Sequence, residues 1–221
     1  MKNTEEQTIL LIEDNPSDSR LIEEFLKEIT SFNYRLIIAE TVQDGCEQIR
    51  KNNFILILLD LNLPDSTGKQ TFDTVIKFAV NIPVVLVSGL QDVELSSSLI
   101  KEGAQDYILK QDLNRSLLAK TIQYALIRKQ AEDELRISEE KFKTVFDEAM
   151  DGILIADIES KKFLTGNKMI CQMLGYDEEE IGKIGIGDIH PENELSYVLE
   201  QVEKQIKKEI KAKITSTKKV V

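Results

Sequence analysis

The chain has 221 residues, room for one large domain or for one complete domain plus part of another. Charged residues make up 30% and hydrophobic ones 42%, a globular balance that excludes wholesale disorder. A net charge of −11 speaks against nucleic acid as partner, and Cys46 and Cys171, with no Cys or His at ligand spacing, exclude a zinc ribbon, an iron–sulfur run or a disulfide framework.

In chain order, the polar start and the lack of any apolar run near the roughly 20 residues that span a bilayer lead us to expect a cytoplasmic protein without membrane contact. Short apolar runs then alternate with amphipathic stretches, at residues 8–12, 34–39, 54–59, 84–87 and 106–109, as in βα units around a parallel sheet. The run 54–59 is apolar throughout, as a central strand covered on both faces should be. Asn15-Pro16-Ser17-Asp18 opens the first helix, with Leu21, Ile22, Phe25, Leu26 and Ile29 as its buried stripe. A second helix starts at Thr41 with Val42, Cys46 and Ile49 inward, a fourth ends at Gly103, and a fifth runs unbroken from near Asp112 to Asp151-Gly152. Along that last helix Ala131, Leu135, Ser138, Phe142, Val145 and Ala149 form a coiled-coil-like seam flanked by charges, suited to a rigid linker or to a homodimer contact. Beyond Gly152 the spacing predicts strands at 153–158 and 161–165, a short helix from Asn167 to Gly175, turns over 181–190 and a helix over 192–210. Residues 213–221 could begin a strand, and the lysine-rich stretch 201–221 reads as a solvated face.

The ends of four strands carry polar residues: Glu13 and Asp14, Asp60, Ser88, and Lys110. In an open parallel sheet, ligands bind beyond the carboxyl ends of the strands, where the strand order reverses. Three carboxylates in one pocket repel unless a cation relieves them, and a hard, oxygen-loving Mg2+ does so while leaving room for a phosphoryl group. Asp60 can then attack phosphorus as a nucleophile, with Lys110 and Ser88 contacting the phosphoryl oxygens.

These residues resemble the response-regulator receiver family of two-component signalling. The motifs are Ile12-Glu13-Asp14, then Leu59-Asp60-Leu61-Asn62-Leu63-Pro64-Asp65-Ser66-Thr67-Gly68, then Val87-Ser88-Gly89, and finally Gly103-Ala104-Gln105-Asp106-Tyr107-Ile108-Leu109-Lys110. The resemblance implies an α/β fold with strand order 2-1-3-4-5 and helices on both faces, Asp60 as phosphoacceptor, and Mg2+ held by Glu13, Asp14, Asp60 and the backbone carbonyl of Asn62. It also implies that Ser88 and Tyr107 move together as the switch. One departure stands out: Gln111 follows Lys110 where the family usually has a cis proline. A non-proline cis bond costs about 3–4 kcal/mol, so a trans or strained loop is expected.

The region beyond the linker resembles the start of a PAS sensor domain, through Ser138-Glu139-Glu140-Lys141-Phe142, Asp151-Gly152-Ile153-Leu154-Ile155-Ala156-Asp157, Asn167, Leu174-Gly175-Tyr176 and Asp188-Ile189-His190-Pro191-Glu192. Later strands of that fold lack candidates, so a truncated or degenerate α+β domain is expected. Neither Cys171 nor His190 sits in a flavin or haem motif, and no bound organic cofactor is expected. The expected division is a receiver over 1–128, a helical linker over 129–150 and a partial PAS-like domain over 151–221. The implied function is a phosphorelay response regulator, not an enzyme with an external substrate, with a histidine kinase or phosphotransfer protein as partner. The alternative is the N-terminal regulatory fragment of a hybrid sensor histidine kinase. A Mg2+-dependent phosphohydrolase is disfavoured, because Asn62 occupies the position where such enzymes carry a general acid.

Overall fold

The computed structural model describes residues 7–29, 34–89, 93–157, 159–201 and 204. The chain divides between Leu135 and Arg136 into two compact units. In the first, strands β1 (Gln7–Ile12), β2 (Tyr34–Ala39), β3 (Leu56–Leu59), β6 (Val84–Ser88) and β7 (Asp106–Leu109) form a parallel sheet in the order β2-β1-β3-β6-β7. Counted among themselves these strands run 2-1-3-4-5, the order that the resemblance implies. Strands β4 (Asn62–Leu63) and β5 (Ser66–Thr67) form only a small hairpin after β3. The helices of this unit are α1 (Pro16–Glu28), α2 (Val42–Lys51), α3 (Lys69–Phe78), α4 (Val93–Lys101) and the start of α5 (Arg115–Glu148).

Side-chain alternation along the strands builds two apolar layers. Leu10, Ile12, Ile57, Leu59, Val84 and Leu86 point to one face and meet Val42, Cys46, Phe72, Val75 and Leu99 from α2, α3 and α4. Ile9, Leu11, Leu56, Leu58, Val85 and Val87 point to the other and meet Ile22, Leu26, Leu118, Ile122 and Ala125 from α1 and α5. Every residue of β3 is buried, which explains why its sequence shows no polar alternation. Helix α2 lies close to β1: a Cβ added at Gly45 would stand 2.5 Å from Ile12 Cδ1.

The local rules act as expected at the helix starts. Asn15 Oδ1 accepts from Ser17 N with Pro16 in the first turn, Thr41 Oγ1 accepts from Asp44 N, and Asn114 Oδ1 accepts from Leu117 N. Two expectations need correction. Leu21 is exposed and outside the stripe of α1, which buries Ile22, Leu26 and Ile29; and the helix expected from Asp112 starts at Arg115, after a 3-10 turn over Lys110–Asp112. That turn contains a trans peptide between Lys110 and Gln111.

Helix α5 carries ion pairs at i, i+4 (Arg128–Glu132, Lys129–Asp133, Arg136–Glu140), each worth roughly 0.3–0.5 kcal/mol. Its seam residues Leu135, Phe142 and Val145 are exposed. In the second unit, β8 (Leu154–Ala156) pairs antiparallel with β9 (Phe163–Gly166), followed by α6 (Lys168–Leu174) and α7 (Glu178–Ile181), with residues 192–201 helical. Phe163, Ile181 and Ile186 centre a small core against Leu154, Cys171, Leu195 and Leu199. Position 158, the expected helix beyond 201 apart from residue 204, and the expected strand at 213–221 lie outside the described residues.

Asn167, fully buried, holds this unit together. Its Oδ1 accepts from Ile153 N and Ile170 N at 2.9 and 3.0 Å, and its Nδ2 donates to Phe146 O and Asp151 O, both at 2.9 Å. One amide thus joins the end of α5, the entry to β8 and the start of α6. Asn167→Ala leaves several buried groups unpaired and should destabilise the second unit by about 3 kcal/mol. Hydrogen exchange read by mass spectrometry should show lost protection across residues 136–201 and unchanged protection across the sheet of the first unit.

Candidate functional site

The parallel sheet places the ends of β1, β3, β6 and β7 along one rim. Glu13 and Asp14 leave β1, held by the hydrogen bond from Glu13 N to Ala39 O of β2. Asp60 leaves β3, with its own N donating to Ile12 O of β1. Ser88 is the last residue of β6, and Lys110 follows β7. Because neighbouring strands stand only about 4.8 Å apart, residues that leave β1 and β3 together must crowd. Ligand oxygens of Glu13, Asp14 and Asp60 lie within 4.8 Å of one another, with Glu13 and Asp60 buried and Asp14 exposed.

Lys110 closes the cluster. Its Nζ donates to Asp60 Oδ2 at 2.6 Å and lies 2.7 Å from Glu13 Oε2. A further carboxylate, Asp18 of α1, accepts from Lys110 Nζ at 2.8 Å. Asp18 was read from the sequence only as part of the opening of a helix, and nothing in its local pattern connects it with a residue 92 positions away. The other oxygens are tied to the backbone: Asp60 Oδ1 accepts from Asn62 N, and Glu13 Oε1 accepts from Asn15 N, each at 3.0 Å.

Glu13 Oε2 is buried and, despite its ion pair with Lys110, accepts no hydrogen bond of good geometry. Burial pushes the Glu13 carboxyl up to about 7; Lys110 pulls against that shift and the charge of Asp60 adds to it. Lys110 itself is held above the ordinary lysine range, since burial weakens its charge but Asp18, Asp60 and Glu13 together outweigh it. An acidic oxygen cluster with one incompletely satisfied buried oxygen suits a hard divalent cation, so the residues present fit Mg2+.

The loop after Asp60 is braced. Asp65, at the turn between β4 and β5, accepts from Val42 N and Gln43 N at 2.9 and 3.0 Å, capping α2 from outside that helix. Gly68 N donates to Leu61 O at 2.7 Å. Asn62 is exposed at the start of the hairpin. Ser88 is fully buried, and its hydroxyl shares a hydrogen bond of 2.9 Å with Ser96 Oγ, a buried residue of α4 with no local motif to mark it. Tyr107 is half-buried on β7 and packs against the layer formed by α2, α3 and α4. A groove of about 860 Å³ opens beside Glu13 and Asp14, lined also by Arg20, Glu24, Glu40 and Asp44. Among the described residues no helix is long and apolar enough to cross a membrane.

Comparison with known proteins identifies the families of both units. A family model for the response regulator receiver domain matches residues 9–123, and one for a PAS domain matches residues 140–206. The sensor histidine kinase TmoS of Ectopseudomonas mendocina is 23% identical over 91% of this chain and 24% of the kinase. The cell cycle transcriptional regulator CtrA of Caulobacter vibrioides is 29% identical over 55% of this chain and 50% of its own. The chain therefore spans between a quarter and a half of these curated relatives. Among solved structures, the signal receiver domain of a putative LuxO repressor protein from Vibrio parahaemolyticus superimposes with a TM-score of 0.52 at 28% identity, covering 59% of this chain and 98% of that one. A CheY-like receiver domain protein from Methanospirillum hungatei gives 0.51 at 26% identity, covering 58% and 99%. The relatives are named as a transcriptional regulator and a sensor histidine kinase, both signalling proteins. With strand order, strand-end acids and a family model covering more than half of its length in agreement, this chain belongs to the response regulator receiver family and carries a PAS domain behind its receiver.

Proposed function

We propose that the protein is a cytoplasmic phosphorelay component that accepts a phosphoryl group on Asp60 from a histidine kinase or phosphotransfer protein. One observation carries this reading: the Asp60 carboxylate is almost fully buried, yet lies close to the oxygens of Glu13 and Asp14 and 2.6 Å from the Lys110 ammonium. A carboxylate oxygen of Asp60 forms the new bond to phosphorus while the bond from phosphorus to the donor breaks and the donor leaves with that electron pair. Lys110 is placed to neutralise a phosphoryl oxygen. Glu13, Asp14, Asp60 and the Asn62 carbonyl would hold Mg2+, which when bound offsets the negative charge gathered in the pocket.

Ser88 and Tyr107 serve as the switch in this reading. A Ser88 hydroxyl that turns to a phosphoryl oxygen must rearrange the bond it shares with Ser96, either giving it up or becoming its acceptor, and so the state of Asp60 is coupled to α4. The response then passes through α5 to the PAS domain, and the exposed Leu135, Phe142 and Val145 make a homodimer through that helix part of the same proposal. A second reading has one specific support: the match to TmoS takes in 91% of this chain within a quarter of a longer sensor kinase. In that case the chain is the regulatory segment of a hybrid kinase, and a reading frame running past Val221 into kinase catalytic sequence would decide for it.

Incubation with acetyl phosphate and Mg2+ should add one phosphoryl mass to the wild type and none after EDTA treatment. Asp60→Asn should remain folded and take no label; a labelled variant would move the nucleophile elsewhere. Ser88→Ala should still be labelled, with a much weaker change in hydrogen exchange over α4 than wild type. The raised Glu13 pKa also sets a pH dependence in metal-free buffer. The folded state binds a proton at Glu13 that the unfolded chain has released above its ordinary value of 4.5, so the stability gained is full below that pH and is lost as pH rises through about 7. Urea unfolding midpoints should fall across that window, and Glu13→Gln should flatten the slope.

A further inference from the structure

Lys110 has three carboxylates around it, and they differ in how well water can replace the ammonium. The Glu13 side chain is 0% exposed and that of Asp60 6%, whereas that of Asp18 keeps 30%. Asp18 is held in the first turn of α1, where Asn15 caps the helix through Ser17 N and its carbonyl accepts from Ser19 N. From there its carboxylate reaches across to Lys110 at 2.8 Å, from an element other than the strands that carry Glu13, Asp14 and Asp60.

Resting on the phosphoacceptor reading of Asp60, we infer that Asp18 is a positioning residue that draws the Lys110 ammonium toward the rim of the site and competes with the incoming phosphoryl group for it. Once Asp60 carries phosphorus, one of its oxygens is tied up in the acyl phosphate anhydride and the new phosphoryl oxygens need the ammonium. The partner that Lys110 can release at least expense is Asp18, because its carboxylate is open enough to be rehydrated. Asp18 also adds a negative charge beside an entering anion. Both effects oppose phosphorylation, so the ion pair acts as a brake that sets how readily the site is occupied.

The test compares wild type, Asp18→Asn and Asp18→Glu for labelling by acetyl phosphate with Mg2+, read by intact mass, together with the affinity for beryllium fluoride as a phosphoryl mimic. Asp18→Asn should raise labelled occupancy at subsaturating acetyl phosphate and tighten beryllium fluoride binding by about fivefold, the scale of one partly exposed ion pair. Asp18→Glu, which keeps the charge, should stay near wild type. A role confined to capping α1 would lower the melting temperature of Asp18→Asn and leave both occupancies unchanged. Unchanged or weakened occupancy in Asp18→Asn, with wild type labelled normally, overturns this inference alone. A wild type that takes no label overturns the phosphoacceptor reading and this inference with it.

Discussion

Glu13, Asp18 and Asp60 come from three different elements, and each brings a carboxylate oxygen within 2.8 Å of Lys110 Nζ. The rest of the receiver can be understood as what makes that meeting obligatory. A sheet buried on both faces has rigid strand ends at fixed spacing, so acids placed just after β1 and β3 must share one small volume. Their repulsion is met by a single lysine delivered from β7, on the far side of β6 from β3. Without β7 and its lysine, the buried carboxylates of Glu13 and Asp60 would lose their counter-charge, which costs several kcal/mol. The same closeness explains the opposite demands on the cluster: it is satisfied enough to fold, and anionic enough to suit a divalent cation.

Two buried polar contacts give this chain its other fixed points. The hydroxyl pair of Ser88 and Ser96 couples the end of a core strand to α4, and neither hydroxyl can move without a consequence for the other. In the second unit, Asn167 spends its whole hydrogen-bonding capacity on backbone groups from three segments. The apolar core there is small, centred on Phe163, Ile181 and Ile186, and a saturated amide supplies specificity that so few side chains could not. Asp65 does comparable work in the receiver, joining the loop after Asp60 to the first turn of α2.

Much of this was legible in the linear sequence because it obeys local rules. The all-apolar run in β3, the Asn15-Pro16 start of α1, the Thr41 cap of α2 and the Asn167-to-Gly175 helix all follow from periodicity and capping, which involve neighbours within a few residues. The strand-end residues Glu13, Asp14, Asp60, Ser88 and Lys110 could be selected because position after a strand is itself a local property. Where tertiary packing competes with the local pattern the reading slipped: Leu21 fits the helical period but lies off the face that α1 turns to the sheet, and the start of α5 was displaced by the 3-10 turn after Lys110.

Fold class, the order of elements and the identity of the side chains at the strand ends were all legible along the chain, since each depends on patterns only a few residues long. Which side chains meet was set by the packing of the folded chain. Asp18 joining Lys110, Ser96 facing Ser88, Asp65 capping a helix it does not belong to, and Asn167 reaching Phe146 O are all contacts across 8 to 92 positions of chain. Such pairings leave no periodic trace, because they are set by the distances between packed layers, and their energies arise only once water has been excluded around them.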